Sequence, residues 1–132
     1  MRARDRDLPM GAGARFGVKR GVVGIGDVPG DKGARMLHRF VDLPEGTFVW
    51  TRTAPEVYRL GRVAGRWRRD DSPAAREVGI RNVRAATWLP REFTGEEVPA
   101  AVAATFARGG RNLQRIHDDD AERRTAELWD TG

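Results

Sequence analysis

Apolar and polar residues alternate along the central part of the chain with a period of two, which is typical of β-strands that are buried on one face. Glycine, proline or acidic residues bound four such runs. The runs predict strands over residues 21–25, 47–53, 58–70 and 80–89. The Ala-Pro-Glu segment at 54–56 is short enough to join the second and third strands as a hairpin. In the third strand the alternation slips by one residue near Gly61, which predicts a β-bulge there.

The C-terminal part of the chain has a different period. Beyond residue 94 apolar residues recur at every fourth position, which predicts a helix that ends at the glycine pair 109–110. Residues 111–116 then predict a short strand, and Asp118 is a candidate cap for a terminal helix through Trp129.

Chain length and element order together predict the fold. A chain of 132 residues is long enough for one domain with a real core and too short for two. We expect an α+β fold in which a small curved mixed sheet, or a partly closed β-barrel, is flanked by helices. The expected organisation is a flexible tail over residues 1–14, the folded domain over 15–117 and an acidic helix over 118–132.

The net charge is +5 and the sequence pI is about 10.8, so polyanions are natural partners. Genome composition alone can produce the same excess, because Lys19 and Lys32 are the only lysines and all other cationic side chains are arginines. Residues 117–132 have the opposite sign, with six acidic residues and two arginines. This acidic end can lie on a basic surface or form a solvated helix face, and we favour the solvated face.

The chain lacks residues that several classes of protein require. The chain has no cysteine, which excludes disulfides, thiolate metal sites and cysteine nucleophiles. Its one serine, Ser72, is distant in sequence from both histidines, His38 on a predicted short helix and His117, so a serine triad is not indicated. We therefore expect no enzymatic activity, no cofactor and no metal. Because no apolar run is long enough for a signal peptide or a membrane span, we expect a cytoplasmic protein that binds no membrane.

The segment Tyr58–Asp70, YRLGRVAGRWRRD, combines one indole with closely spaced cations. An aromatic ring offers a stacking surface for a base, and neighbouring guanidinium groups offer contacts for phosphates. Trp50 and Trp67 are the candidate stacking residues, whereas Trp88 and Trp129 are expected in the core. For Trp50 and Trp67 a place in the core is an equally good interpretation.

Three segments together resemble the PUA-like superfamily, and within it the EVE-type domains that accompany restriction and RNA-modification systems. They are GVVGIG at 21–26, the pair FVWTRT and YRLGRVAGRWRRD at 48–53 and 58–70, and NVRAATWL at 82–89. The resemblance covers residues 16–116. Arg69 and Asp27 occupy positions where aromatic residues are common in that family.

The resemblance implies a reader domain, which accepts a modified base in a concave pocket, in DNA or RNA, without altering it. We expect the base to be flipped and the polymer to be DNA more than RNA. An effector nuclease or helicase would then be supplied by another chain. The base-pocket candidates are Gly24, Ile25, Gly26, Trp50, Thr51, Arg52, Trp67 and Asn82. The candidates for contacts to the nucleic-acid backbone are Lys19, Arg20, Arg62, Arg66, Arg68 and Arg69.

Two other functions stay open on sequence grounds. The chain can be a structural or interaction subunit whose basic face docks on an acidic partner. It can also be a small enzyme that acts on modified nucleotides, which would need a carboxylate facing the pocket, and Asp27 is the candidate for that group.

Overall fold

The computed structural model of the protein describes residues 11–107 and 119–131. Within those ranges, four strands and five helices form an α+β fold whose sheet is curled into a half-barrel. The helices are α1 (Ala12–Arg20), α2 (Gly30–Asp42), α3 (Pro73–Val78), α4 (Ala100–Ala107) and α5 (Asp119–Thr131). The strands are β1 (Val22–Ile25), β2 (Phe48–Ala54), β3 (Val57–Arg69) and β4 (Asn82–Trp88).

The strands lie side by side in the order β1-β4-β3-β2, and each neighbouring pair is antiparallel. The α+β class and the four strands predicted between residues 21 and 89 are therefore confirmed. Of the two expected sheets, the mixed sheet is wrong, whereas the curled half-barrel agrees with a partly closed barrel. β2 and β3 are joined by the predicted hairpin through Pro55 and Glu56, and so short a connection can link only antiparallel neighbours.

Both faces of the β2–β3 hairpin are buried, against different parts of the protein. On one face Trp50, Tyr58 and Leu60 belong to a cluster that includes residues of α4 and α5. On the other face Val49 and Val63 belong to a cluster that includes residues of α1 and α2. The apolar positions of β3 thus change phase between Leu60 and Val63 because the buried face changes.

The phase change predicted a β-bulge at Gly61, and this position is wrong. Gly61 pairs regularly with Val49 on β2 and with Trp88 on β4. A side chain at Gly61 would place its Cβ 2.6 Å from a carbon of the Trp88 ring, so glycine allows the close packing of these strands. The register shifts instead between Val63 and Trp67, where β3 has run past the end of β2.

Two helices were not expected from the apolar pattern. The predicted tail over residues 1–14 overlaps α1, which is helical from Ala12 although its segment is rich in glycine. Phe16 on this helix is buried in the core, and the helix contacts both β1 and β2, so packing across the two edge strands stabilises it. The second, α3, follows Ser72, whose side chain accepts a hydrogen bond from the Ala75 backbone N–H at 3.2 Å.

The helices predicted beyond residue 94 and beyond residue 118 are confirmed as α4 and α5. The helix end at the glycine pair 109–110, the strand over 111–116 and the Asp118 cap lie outside the described residues, as do the first ten residues of the predicted tail.

A buried arginine ties α2 to the sheet beside the last residues of β3. The Arg84 guanidinium donates hydrogen bonds to the carbonyl oxygens of Phe40 at 3.1 Å and Leu43 at 2.6 Å, at the C-terminal end of α2. Its Nε donates to the Gly65 carbonyl at 2.8 Å. Because carbonyls at a helix C-terminus lack donors within the helix, Arg84 caps α2 and fixes it against β3 and β4.

Candidate functional site

Trp67 is the large aromatic side chain that the described residues leave most open to solvent, with 41% of the residue exposed. It lies near the end of β3, opposite Arg84 on β4. The indole Nε1–H donates a hydrogen bond to Asn82 Oδ1 at 3.2 Å. The ring is therefore both accessible and restrained in its orientation.

Asn82 is only 1% exposed, and its amide is used inside the protein. Its Oδ1 accepts from Trp67 and from Arg69 Nη1, the latter at 3.3 Å, and its Nδ2 donates to Asp27 Oδ1 at 3.0 Å. Because the residue is buried and its amide makes three hydrogen bonds within the protein, it is not exposed to the edge of a bound base. Asn82 is therefore a positioning residue for its neighbours.

Asp27 and Arg69 form a bidentate ion pair beside the indole. Arg69 Nη1 and Nη2 donate to the two carboxylate oxygens at 2.7 and 2.6 Å, a geometry that suits a guanidinium and a carboxylate. The hydrogen bond from Arg69 lowers the pKa of Asp27 to about 2, with further lowering from Asn82. The carboxylate is thus ionised at neutral pH and has no proton to donate as a general acid. We call Asp27, Trp67, Arg69 and Asn82 the Trp67 cluster.

The sheet register brings these four residues together. Arg69 on β3 lies opposite Asn82, the first residue of β4, and Asn82 in turn lies opposite Ile25, the last residue of β1. Asp27 follows two residues after that strand end. The close approach also depends on Gly24, because a Cβ there would come within 2.4 Å of the Ile80 side chain. Gly24, Ile25 and Gly26 were predicted to line the base pocket. They belong instead to the backbone that supports the cluster.

Two further arginines of β3, Arg66 and Arg68, are exposed and alternate along the strand with Trp67. Neither side chain makes a hydrogen bond or an ion pair with the residues at 11–107 and 119–131. Both Arg68 and Arg20, at the end of α1, act through charge on Asp70, whose pKa is lowered chiefly by the backbone N–H of Ser72. Arg20 and Arg68 therefore both act electrostatically on the same carboxylate.

The structure does not bring Trp50 and Thr51 to this cluster. Trp50 is 8% exposed, and its Nε1–H donates to Thr125 Oγ1 on α5 at 3.1 Å. Its ring packs edge to face on Phe93, with ring centroids 5.3 Å apart. Thr51 is fully buried on the same strand. The predicted pocket between two indoles is therefore not formed, because the face of β2 that carries Trp50 is covered by helices.

Arg52 and Arg62 are also engaged away from the cluster. The Arg52 guanidinium lies over the Phe106 ring, with its Cζ 5.7 Å from the ring centroid. Arg62 lies over the rings of Phe48 and Trp129, at 4.7 and 5.5 Å, and its Nε donates to the Gly46 carbonyl at 3.0 Å. Lys19, another predicted phosphate contact, is exposed in the last turn of α1 and lines a depression at the opposite end of β3.

Two cationic residues that line this depression were not predicted as site residues. Arg15 and Arg59 line it together with Lys19. The four-residue spacing of Arg15 and Lys19 would indicate a shared helix face, but the glycines at 11 and 13 predicted a tail up to residue 14, and no helix was predicted after it. Arg59 lies between Tyr58 and Leu60 in a strand. No feature of the sequence distinguishes it as a site residue from the other arginines of that strand.

Comparisons of the sequence with protein-family models, with curated proteins and with solved structures find no match. The resemblance to EVE-type domains therefore stays a prediction. In the described part of the chain, every helix is too short or too polar to cross a membrane. The same residues contain no group of three or more histidine, aspartate or glutamate side chains placed to hold a metal ion.

Proposed function

We propose that this protein binds nucleic acid by stacking an unpaired or flipped base on Trp67, while Arg66 and Arg68 contact the phosphates beside it. The observation that carries the proposal is an indole that is 41% exposed and yet held by the buried amide of Asn82. A ring with a preset orientation loses little conformational freedom when a base stacks on it. Stacking of this kind contributes about 1–3 kcal/mol per base.

The charges around the ring divide into two groups. Arg69 is paired with Asp27 and adds little net charge, whereas Arg66 and Arg68 have no acidic partner among the described residues that lies within ion-pair distance. Arg66 and Arg68 alternate with Trp67 along β3, so their side chains leave the strand on the face opposite to the indole, at the edge that β2 does not cover. A nucleic-acid strand that passes round this edge can stack a base on the ring and bring its phosphates to the unpaired guanidinium groups. The phosphate contacts are therefore assigned to Arg66 and Arg68 and not to Arg69.

A preference for a modified base is the finer part of the proposal and follows from the resemblance to EVE-type domains. Trp67 supplies one stacking wall, and the described residues place no second indole beside it. Selectivity would then depend on the fit of the base against the Asp27–Arg69 pair. We favour DNA over RNA as the polymer, and an effector nuclease or helicase would be supplied by another chain.

The test is a binding titration by fluorescence anisotropy with single-stranded and duplex oligonucleotides, each with and without common base modifications. Trp67→Ala should weaken binding by roughly 5- to 150-fold, which corresponds to the stacking energy of one base, and Trp67→Phe should retain much of the affinity. The double change Arg66→Gln with Arg68→Gln should weaken all sequences about equally. It should also lower the salt slope by roughly 0.7–0.9 for each phosphate that the protein no longer neutralises.

The matched control changes Arg35 and Arg39 to glutamine, because both are exposed on α2 and their removal alters the net charge by the same amount. If the control pair weakens binding as much as the Arg66 and Arg68 pair, the affinity comes from net charge and not from this surface. Indifference of the protein to Trp67→Ala and to every modification would remove the proposal.

A second candidate function is supported by the open edge of β3. Beyond Val63 this strand pairs with β4 on one side and with no described strand on the other. Such an edge can accept a strand from a partner protein, and Arg66 and Arg68 would favour an acidic one. A complex that survives Trp67→Ala but is abolished when a proline replaces Arg66 or Arg68 would support this function over nucleic-acid binding.

A further inference from the structure

A second surface feature lies at the other end of β3 from the Trp67 cluster. It is a depression of about 370 Å³, open to solvent, between α1 and the β2–β3 hairpin. Its size falls in the range of sites for small molecules. The residues that line it are Arg15, Val18, Lys19, Thr53, Ala54, Val57, Arg59 and Glu92. Arg59 and Trp67 are eight residues apart on β3, so at most about 26 Å of strand separates the depression from the indole.

Cations predominate in the lining of the depression. Arg15, Lys19 and Arg59 face one acidic residue, Glu92. Lys19 and Arg59 form no ion pair with an acidic residue in the described part of the chain, so the depression holds positive charge that is not neutralised there. An anion that enters it would meet this charge beside protein, where the interaction is stronger than in bulk water.

Two of the guanidinium groups are held in place by backbone carbonyls. Arg15 Nη1 donates to the Thr53 carbonyl at 2.7 Å, and Arg59 Nη2 donates to the Leu89 carbonyl at 2.8 Å. Arg59 Nε is buried and has no hydrogen-bond partner among the described residues. Anchored guanidinium groups lose little freedom on binding an anion, and planar donors of this kind suit phosphate oxygens.

Apart from Thr53, the rest of the lining is apolar. Val18, Ala54 and Val57 are half-buried and contribute their side chains to the same depression. A ligand that bears both an anionic group and a less polar body would match both parts of the surface. No aromatic ring of the described residues lines the depression, so base stacking would not be its mode of binding.

From this arrangement we infer that the depression is a binding site for a phosphate monoester carried on a small body. A phosphate monoester has a charge of about −1.5 to −2 at neutral pH and matches the two cations Lys19 and Arg59, whereas one carboxylate matches only half of their charge. The phosphate can belong to a free metabolite or to the 5′ end of a nucleic-acid strand. Lys19 and Arg59 bind its oxygens, and Glu92 opposes it by repulsion.

The chain offers an internal control for testing this site, because Lys19 and Lys32 are its only lysines. Both are exposed, and Lys32 lies on α2, outside the depression. The experiment measures the rate of acetylation of each lysine by mass spectrometry. It uses inorganic phosphate, ribose 5-phosphate, adenosine monophosphate, and matched oligonucleotides with a 5′-phosphate or a 5′-hydroxyl.

The expected result is that a phosphate monoester slows acetylation of Lys19 and leaves Lys32 unchanged. Protection by ribose 5-phosphate or adenosine monophosphate identifies a free ester as the source, and protection only by the 5′-phosphorylated oligonucleotide identifies a strand end. Equal protection by the 5′-hydroxyl oligonucleotide would show that Lys19 contacts internal phosphates, and it would overturn the inference. Protection by none of the probes would also overturn it.

Substitutions test the same site by affinity. Lys19→Gln should weaken binding of the protecting ester about tenfold or more, whereas Lys32→Gln should leave it unchanged. Glu92→Gln should strengthen it several-fold, a gain that loss of folding cannot imitate. Trp67→Ala should not affect the binding of ribose 5-phosphate or of inorganic phosphate, which separates this site from the proposed nucleic-acid surface. An unchanged affinity in both Lys19→Gln and Glu92→Gln would contradict the assignment.

Discussion

The indole of Trp67 is held by the side chain of Asn82, an exposed ring whose hydrogen bond ends on a buried amide oxygen 3.2 Å away. Asn82 also joins Asp27 and Arg69 through the same amide. The orientation of the one strongly exposed tryptophan among the described residues therefore depends on a residue that solvent does not reach. Substitutions can separate this positioning role from the contacts that a ligand would make.

Replacement of Asn82 by alanine should weaken both folding and binding. It leaves the Trp67 Nε1–H, Arg69 and Asp27 without a shared partner, and it should lower the free energy of unfolding by about 1–3 kcal/mol. Binding of oligonucleotides should also weaken although Asn82 touches no ligand. Urea unfolding measures the first effect, and Thr87→Ala, at an exposed position of β4, is the control that should change stability by less than about 0.5 kcal/mol. A variant as stable as the wild type would show that this amide holds nothing.

Stability should fall on acidification in a window set by Asp27. Its pKa is lowered from 3.8 to about 2 in the folded protein, so the folded state favours the ionised carboxylate. The contribution is fully present above about pH 4 and disappears as the pH falls towards about 2. Asp27→Asn should therefore lower stability at neutral pH, and the difference from the wild type should vanish near pH 2. A difference that stays constant from pH 7 to pH 2 would contradict the ion pair with Arg69.

Trp50→Ala should destabilise the protein strongly, and the molecules that remain folded should bind oligonucleotides with unchanged affinity. Trp50 packs against Phe93 and donates to Thr125 Oγ1, so truncation should lower the free energy of unfolding by about 3–5 kcal/mol. If the alanine variant does not fold, Trp50→Phe keeps most of the volume and serves instead. Thermal unfolding and anisotropy titration check the two parts. Loss of binding in a fully folded Trp50→Phe protein would place this residue at the ligand.

Arg84→Met should destabilise the protein by at least about 2 kcal/mol. The change keeps the length of the side chain but leaves the carbonyls of Phe40 and Leu43 without their donor at the end of α2. Hydrogen exchange should increase in the last turn of α2 more than in α5, which lies on the other cluster of the core. Uniform exchange across both helices would contradict the capping role.

The sequence was sufficient to predict the strands because alternation is a local property. β2, β3 and the hairpin between them follow from residues that are neighbours in the chain. Helix α1 was not predictable in the same way, because glycine lowers helix propensity by about 1 kcal/mol at each position. The helix forms because Phe16 packs into a core to which Val49 and Val63, distant in sequence, contribute.

The candidate site was predictable only in part, for a related reason. Trp50 and Trp67 occupy similar positions in the sequence, each on a strand beside polar residues. Their different burial depends on α4 and α5, which cover the Trp50 face of β2 and belong to a segment far along the chain. Asn82 could be selected as a polar residue on a strand, but its pairing with Arg69 depends on the register between β3 and β4.

The most direct test of the central claim follows the four indole N–H signals of the protein by two-dimensional NMR while an oligonucleotide is added. The Trp67 signal is assigned by its absence from the Trp67→Phe variant. We predict that this signal shifts with the added oligonucleotide, whereas the signals of Trp50 and Trp88, whose N–H groups are bonded to Thr125 and to the Val22 carbonyl, stay in place. Binding that leaves the Trp67 signal unmoved, or no binding at all, would contradict the account.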